Sequence, residues 1–89
     1  MSNIADLPNL GPKSQQMLAL AGIMTVEQLR KLTAVRAYVQ VKRAGTNASL
    51  NLLWAMEGAL TGQHWQEVAK HERLRLLIEL EDIENEHER

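Results

Sequence analysis

The chain has 89 residues, 45% of them hydrophobic, with no cysteine and three aromatic side chains. A core of that size is near the lower limit for independent folding, so one small domain is expected. A net charge of −1 excludes a protein held to nucleic acid by bulk positive charge. The missing cysteines exclude disulfide frameworks, thiolate metal sites and thiol nucleophiles, and they fit a reducing compartment.

The balanced charge conceals a division. Residues 1–50 carry six bases (Lys13, Arg30, Lys31, Arg36, Lys42, Arg43) against two acids, a net of +4, whereas residues 51–89 carry four bases and nine acids, a net of −5. No basic segment leads into an apolar run at the start. The uncharged stretch from Ala44 to Met56 is broken by Thr46, Asn47, Ser49 and Asn51. Export and membrane spanning are therefore not expected, and a soluble cytoplasmic protein is.

Between the Gly and Pro positions, apolar residues recur every three or four places, which predicts an all-α chain. Ser2 or Asn3 can cap a short first helix carrying Ile4 and Leu7, which Pro8 stops because proline disfavours helical geometry in the residue before it. A turn, Pro8-Asn9-Leu10-Gly11, follows. Pro12 suits the first position of the next helix, whose inward face is expected to hold Met17, Leu20 and Ala21 until Gly22 supplies a left-handed cap and Ile23 packs back. Thr25-Val26-Glu27-Gln28 matches a capping box, with Met24 and Leu29 placed as a hydrophobic staple.

A third helix carrying Val26, Leu29 and Leu32 is expected to end near Thr33, and a fourth carrying Ala34, Ala37, Tyr38 and Val41 to end at Gly45. Asn47 or Ser49 restarts the chain. Leu50 to Leu60 is apolar nearly all round, the pattern of a central helix enclosed by others. Gly62 closes it, and the turn to His64 leads into a segment starting at Trp65 and running, with a kink, through Leu80. The expected division is a helical domain over 1–80 and an acidic, frayed end over 81–89.

Several residues are candidates for chemistry. A glycine-containing turn before a helix aims the unpaired N–H groups of that helix's first turn at one point, which attracts an anion such as a phosphate oxygen. Asn9, Leu10, Gly11, Lys13 and Ser14 form that candidate phosphate site, with Lys13 adding a cation and Ser14 a hydroxyl. A purely structural connection explains the same string equally well. Arg36, Lys42 and Arg43, near Arg30 and Lys31, make a candidate basic surface, for which an ordinary solvated face is the alternative.

Asn51 and Glu57 sit inside the apolar helix and are read as structural polar groups. Glu57 would answer either the free N–H groups of another helix or a basic partner, because an unpaired buried carboxylate would cost several kcal/mol. His64, Glu67 and His71 share a helical spacing, but two histidines and one acid without a further ligand make a poor metal set, and a surface location is expected. Trp65 is read as covering the end of the central helix, with its indole N–H reaching a carbonyl. No paired acids, nucleophile with a base, phosphate loop or cofactor string is present, so neither an enzyme nor a cofactor is expected.

Five strings carry a resemblance. They are Leu10 to Ser14 (LGPKS), Leu18 to Ile23 (LALAGI), Thr25 to Leu29 (TVEQL), Ala48 to Leu60 (ASLNLLWAMEGAL) and Gly62 to Trp65 (GQHW). In that order, from about Leu7 to Leu80, the chain resembles the C-terminal domain of the TfoX (Sxy) competence regulators. The resemblance implies a bacterial cytoplasmic protein, a single compact domain of five helices with helix-hairpin-helix (SAM-like) character, and a connection with control of DNA-uptake genes. In that family the two-domain members act alongside the cyclic-AMP receptor protein, and the resemblance here begins without their N-terminal domain. Two functions follow as expectations. One is a regulatory domain touching DNA phosphate weakly and without sequence preference while meeting a transcription-regulator protein. The other is a pure protein-interaction module with a structural hairpin. A homodimer through the C-terminal helix is a further expectation.

Overall fold

The structure is a computed structural model and describes residues 3–86. A 3-10 turn over Ile4–Asp6 precedes five α-helices: α1 (Pro12–Leu20), α2 (Val26–Arg43), α3 (Leu50–Thr61), α4 (Trp65–His71) and α5 (Arg73–Glu86). The described residues are all-α and form one core, in which α3 packs against α2 and α4, and α5 closes over α2. Leu52 to Met56, with Gly58 and Ala59, are all buried, as the nearly all-apolar pattern of this helix requires.

The helix ends follow from local chemistry. Pro12 occupies the first turn of α1, where its missing N–H costs nothing. Gly22 takes φ +83°, and the N–H of Ile23 donates back to the Leu18 carbonyl (2.9 Å), turning the Ile23 side chain into the core. At the start of α2 the N–H of Gln28 donates to Thr25 Oγ1 (3.1 Å), and Gln28 Oε1 accepts from the N–H groups of Thr25 and Met24. The capping box is complete. Gly62 ends α3 at φ +77°.

Some sequence expectations do not hold. The first element is a single 3-10 turn, held to α1 because Gln15 Oε1 accepts from the N–H of Ala5 (2.8 Å). Leu20 is 74% exposed, because the inward face of α1 is centred on fully buried Leu18 with half-buried Met17 and Ala21, and Leu20 lies off that face. Met24 is 63% exposed and forms no staple. Its backbone N–H donates to Gln28 Oε1, while its side chain stays in solvent. The expected end of the third helix near Thr33 does hold: the Thr33 backbone is non-helical and separates the two helical stretches that make up α2. The polypeptide past residue 80 remains helical to Glu86, because Ile83 continues the buried face of Leu76 and Leu80. Residues 87–89 lie outside the described residues.

The bend in α2 falls on Thr33 at φ 71° and ψ 164°, a region open essentially to glycine alone and a true outlier for a β-branched residue. It turns the buried row Leu29 into the row Ala34, Ala37, Tyr38 and Val41. The Tyr38 hydroxyl donates to the Ala48 carbonyl (3.0 Å), which ties the incoming loop of α3 to α2. Because the Thr33 side chain is exposed, nothing is lost when it is removed. Thr33→Gly should therefore raise stability by about 1 kcal/mol, the relief of strain exceeding the extra backbone entropy of glycine. A urea midpoint shifted upward at unchanged slope is the expected result, and a downward shift would contradict the strain.

Candidate functional site

The turn after the 3-10 element is organised by Asn9. Its backbone lies in the left-handed region at φ 69°, which asparagine tolerates better than most residues. That conformation carries the carboxamide across to the α3–α4 turn. There Asn9 Nδ2 donates to the Gln63 carbonyl (2.9 Å), and Asn9 Oδ1 accepts from the N–H of Trp65 (3.3 Å), the first residue of α4. One side chain thus joins segments more than fifty residues apart in sequence.

The bridge passes directly over Gly58. A Cβ placed there would overlap both the Gln63 carbonyl oxygen and Asn9 Nδ2, so glycine is the residue that permits this approach. At Gly11, by contrast, an added Cβ meets nothing within 4 Å and the backbone is extended, so the tight part of the turn rests on Asn9.

With the hairpin fixed in this way to the α3–α4 turn, α1 and α3 border a common opening. Between them lies an open cleft of about 300 Å³ bordered by Asn9, Lys13, Ser14 and Met17 on one side and Ser49, Asn51, Leu52 and Ala55 on the other, with Trp65 at its end. Neither helix has a side-chain cap. Among the described residues, the N–H groups of Lys13 and Ser14 on α1 and of Leu50 and Asn51 on α3 have no protein acceptor. Each helix start carries a partial positive charge from the aligned peptide dipoles. Lys13 adds a full one, and no carboxylate borders the cleft. The arrangement suits a small anionic group with an apolar floor beneath it.

The sequence candidates divide accordingly. Asn9, Lys13 and Ser14 border the cleft, and Gly11 occupies the cap position of α1. Leu10 is buried and its N–H donates to the Leu7 carbonyl (3.2 Å), so it belongs to the core. Asn51, read from sequence as a structural anchor, is exposed and faces the cleft, because it lies in the first turn of α3 before that helix enters the core. Glu57 is paired. Its carboxylate accepts from Arg75 Nη2 (2.8 Å) and its side chain is only 15% exposed. Arg75 also meets Glu72 and Glu79. The hydrogen bonds that Arg75 donates to Glu72 and Glu57 hold the guanidinium even more firmly protonated than usual.

The basic row of α2 is distributed differently. Arg36 lies 3.7 Å from Glu86 on α5, Lys42 sits over the Tyr38 ring (5.5 Å), and Glu84 shares a shallow depression with Lys42 and Arg43. Burial, together with that same Glu84, pushes the Tyr38 hydroxyl above its ordinary pKa. Lys42 and Arg43 also occupy the last turn of α2, where cations stabilise the helix dipole. His64 Nδ1 caps α4 by accepting from the N–H of Gln66 (3.2 Å), and His71 pairs with Glu67 (3.2 Å). No cluster of three metal-ligating side chains occurs among the described residues. The Trp65 indole stacks on His64 and borders the cleft, while its backbone N–H meets Asn9.

Sequence reading did not find the bridge from Asn9 or the part played by Ser49 and Trp65. The one available signal was Gly58, a glycine in a helix interior, where it costs about 1 kcal/mol relative to alanine unless close packing requires it.

A small all-α domain with an anion-suited cleft between two uncapped helix starts is the class that fold and site define. Residues 1–80 match the family model of the TfoX C-terminal domain, and the chain belongs to that family. It is 34% identical over 83 residues to the DNA transformation protein TfoX of Haemophilus influenzae, covering 93% of this chain and 38% of that protein. Against DNA transformation protein TfoX1 of Aliivibrio fischeri the identity is 34% over 71 residues, 75% of this chain and 34% of the relative. The chain thus spans little more than a third of these relatives. Its fold is also similar to a crystal structure of an uncharacterized protein from Listeria monocytogenes, with TM-score 0.79 and 26% identity over 93% of this chain and 94% of that one. A protein of unknown function from the same organism gives TM-score 0.73 and 28% identity over 81% of this chain and 89% of that one. No helix among the described residues is long and apolar enough to cross a membrane.

Gly58→Ala should destabilise the domain by about 2 kcal/mol or more, since a backbone carbonyl and not a flexible chain end stands in the way. Gly11→Ala should change stability by about 0.5 kcal/mol or less. Thermal unfolding of the two variants checks the contrast, and equal losses would contradict the assignment of the close approach to Gly58.

Proposed function

We propose that this chain is a regulatory interaction domain in the control of DNA uptake, and that it touches the DNA backbone by seating a phosphate in the cleft between α1 and α3. The observation that supports this reading is a cleft free of carboxylates that is bordered by residues of two uncapped helix starts, Lys13 among them. In this reading the N–H groups of Lys13 and Ser14 bond phosphate oxygens from one side and the first turn of α3 from the other, while Lys13 Nζ supplies the charge. The hairpin then acts as a helix-hairpin-helix turn does, through backbone groups that read no base. Only one or two phosphates can be engaged there, so binding is weak and a transcription-regulator partner supplies the target. The link to DNA transformation comes from the named relatives and carries over as part of the proposal.

The row Arg36, Lys42 and Arg43 plays a secondary part in this reading, because Glu84 and Glu86 already lie against it. A second reading, a protein-interaction module without DNA contact, is favoured by the exposed side chains of Leu20 and Met24 at the far end of α1.

Titration of a short DNA duplex at low salt separates the two. The expected result is weak binding that falls as salt is raised with a logarithmic slope of about −1 to −2, in keeping with one or two phosphate contacts. Lys13→Glu should lower the low-salt affinity roughly tenfold or more and reduce the slope by about one, with helical content unchanged. No binding by the unmodified protein selects the second reading, and an unaltered affinity in the variant removes the cleft as the contact.

A further inference from the structure

The cleft between α1 and α3 offers more than the seat of a phosphate. Its volume, about 300 Å³, is that of a small-molecule pocket. Buried Leu52 and Ala55 of α3 and half-buried Met17 of α1 give it apolar surface, with which a phosphate oxygen makes no favourable contact. Half-buried Trp65 adds an aromatic ring. Because its backbone N–H is held by Asn9, just ahead of α1, Trp65 borders the cleft at the end where α1 begins, on the same opening as Lys13. The exposed His64 ring stacks on the indole (5.9 Å between centroids, 29° between planes), which widens the aromatic surface. Among the described residues, the Ser14 hydroxyl, the Asn51 carboxamide and the indole N–H make no hydrogen bond within the protein.

We propose that the cleft takes an unpaired nucleotide, base as well as phosphate, so that the domain binds single-stranded DNA in preference to a duplex. This inference rests on the phosphate reading of the cleft and adds the base to it. In a duplex the bases are paired and stacked inside the helix, so phosphate and sugar alone reach the cleft and its apolar part stays wet. In a single strand a base can turn away from its neighbours, lie against the Trp65 and His64 rings and displace water from Met17, Leu52 and Ala55, while a phosphate of the same strand stays beside Lys13. Every base has a π-face, so stacking of this kind is tolerant of sequence. Charge by itself points the other way, because a duplex carries its phosphates more densely and releases more counterion for each contact. A preference for the strand therefore reports the base and not the backbone.

Fluorescence anisotropy at low salt, on the intact chain, compares three labelled ligands of equal strand length: a mixed-sequence single strand, its duplex, and an abasic strand that keeps the sugars and phosphates alone. The expected result is that the base-bearing strand binds roughly fivefold or more tighter than either of the others. Trp65→Leu, which keeps apolar bulk and removes the aromatic face, should bring the ratio of strand to abasic affinity close to one, and Trp65→Phe should restore part of it. A merely structural loss lowers both affinities alike and does not move that ratio. The comparison of base-bearing and abasic strands needs no variant, so it holds even if a change at Trp65 weakens the fold. Equal affinity for those two strands, a duplex bound as tightly as the strand, or a ratio that Trp65→Leu leaves intact overturns the inference while the phosphate reading stands. Absence of binding to all three ligands overturns both.

Discussion

The architecture of the candidate site depends on one carboxamide. Asn9 reaches from a left-handed turn to the Gln63 carbonyl and the Trp65 N–H, and it can do so only because Gly58 presents no side chain beneath it. Without that bridge residues 3–11 would be tied to the domain through the apolar contacts of Ile4, Leu7 and Leu10 and the Gln15 contact to Ala5. With it, the beginning of α1 is held at the α3–α4 turn, and the first-turn residues Lys13 and Ser14 of α1 and Asn51 of α3 border one opening. The cleft is a product of long-range hydrogen bonding, and it owes little to the glycine that precedes α1.

The division of charge along the chain has a structural counterpart. The basic half contributes α1 and α2, the acidic half ends in α5, and α5 packs on α2. The basic row of α2 therefore meets Glu84 and Glu86 within the molecule, and the tripled carboxylates around Arg75 absorb much of the remaining acid. Exposed pairs of this kind add little stability each. Their larger consequence is electrostatic. Once these groups are matched, Lys13 is the cation that borders the carboxylate-free cleft, so the field of a nearly neutral protein is locally positive there.

Local features were legible in the sequence because local chemistry determines them. Pro12, Gly22, the Thr25–Gln28 box, Gly62 and the enclosed helix after Ser49 each follow from neighbours within four residues. The break at Thr33 was visible as an interruption of the apolar pattern. That it is a bend carried by a strained threonine was not, since nothing in threonine itself favours φ 71°. Leu20 and Met24 were misplaced because a short apolar pattern fits more than one face, and only packing decides which side chains turn inward. At the site, Lys13 and Ser14 were found through the hairpin string. Ser49, Asn51 and Trp65 joined them only through the fold, and the carboxamide bridge spans more than fifty residues, beyond the reach of any spacing rule.

The central claim is that the starts of α1 and α3, which border one cleft, act together as an anion-receiving surface. Backbone amide shifts followed by NMR during addition of a short DNA duplex at low salt test it most directly. The account predicts that the amides of Lys13 and Ser14 on α1 and of Leu50 and Asn51 on α3 move together, with a single affinity. Shifts confined to α2 and α5, or movement of one helix start while the other stays unperturbed, would contradict it.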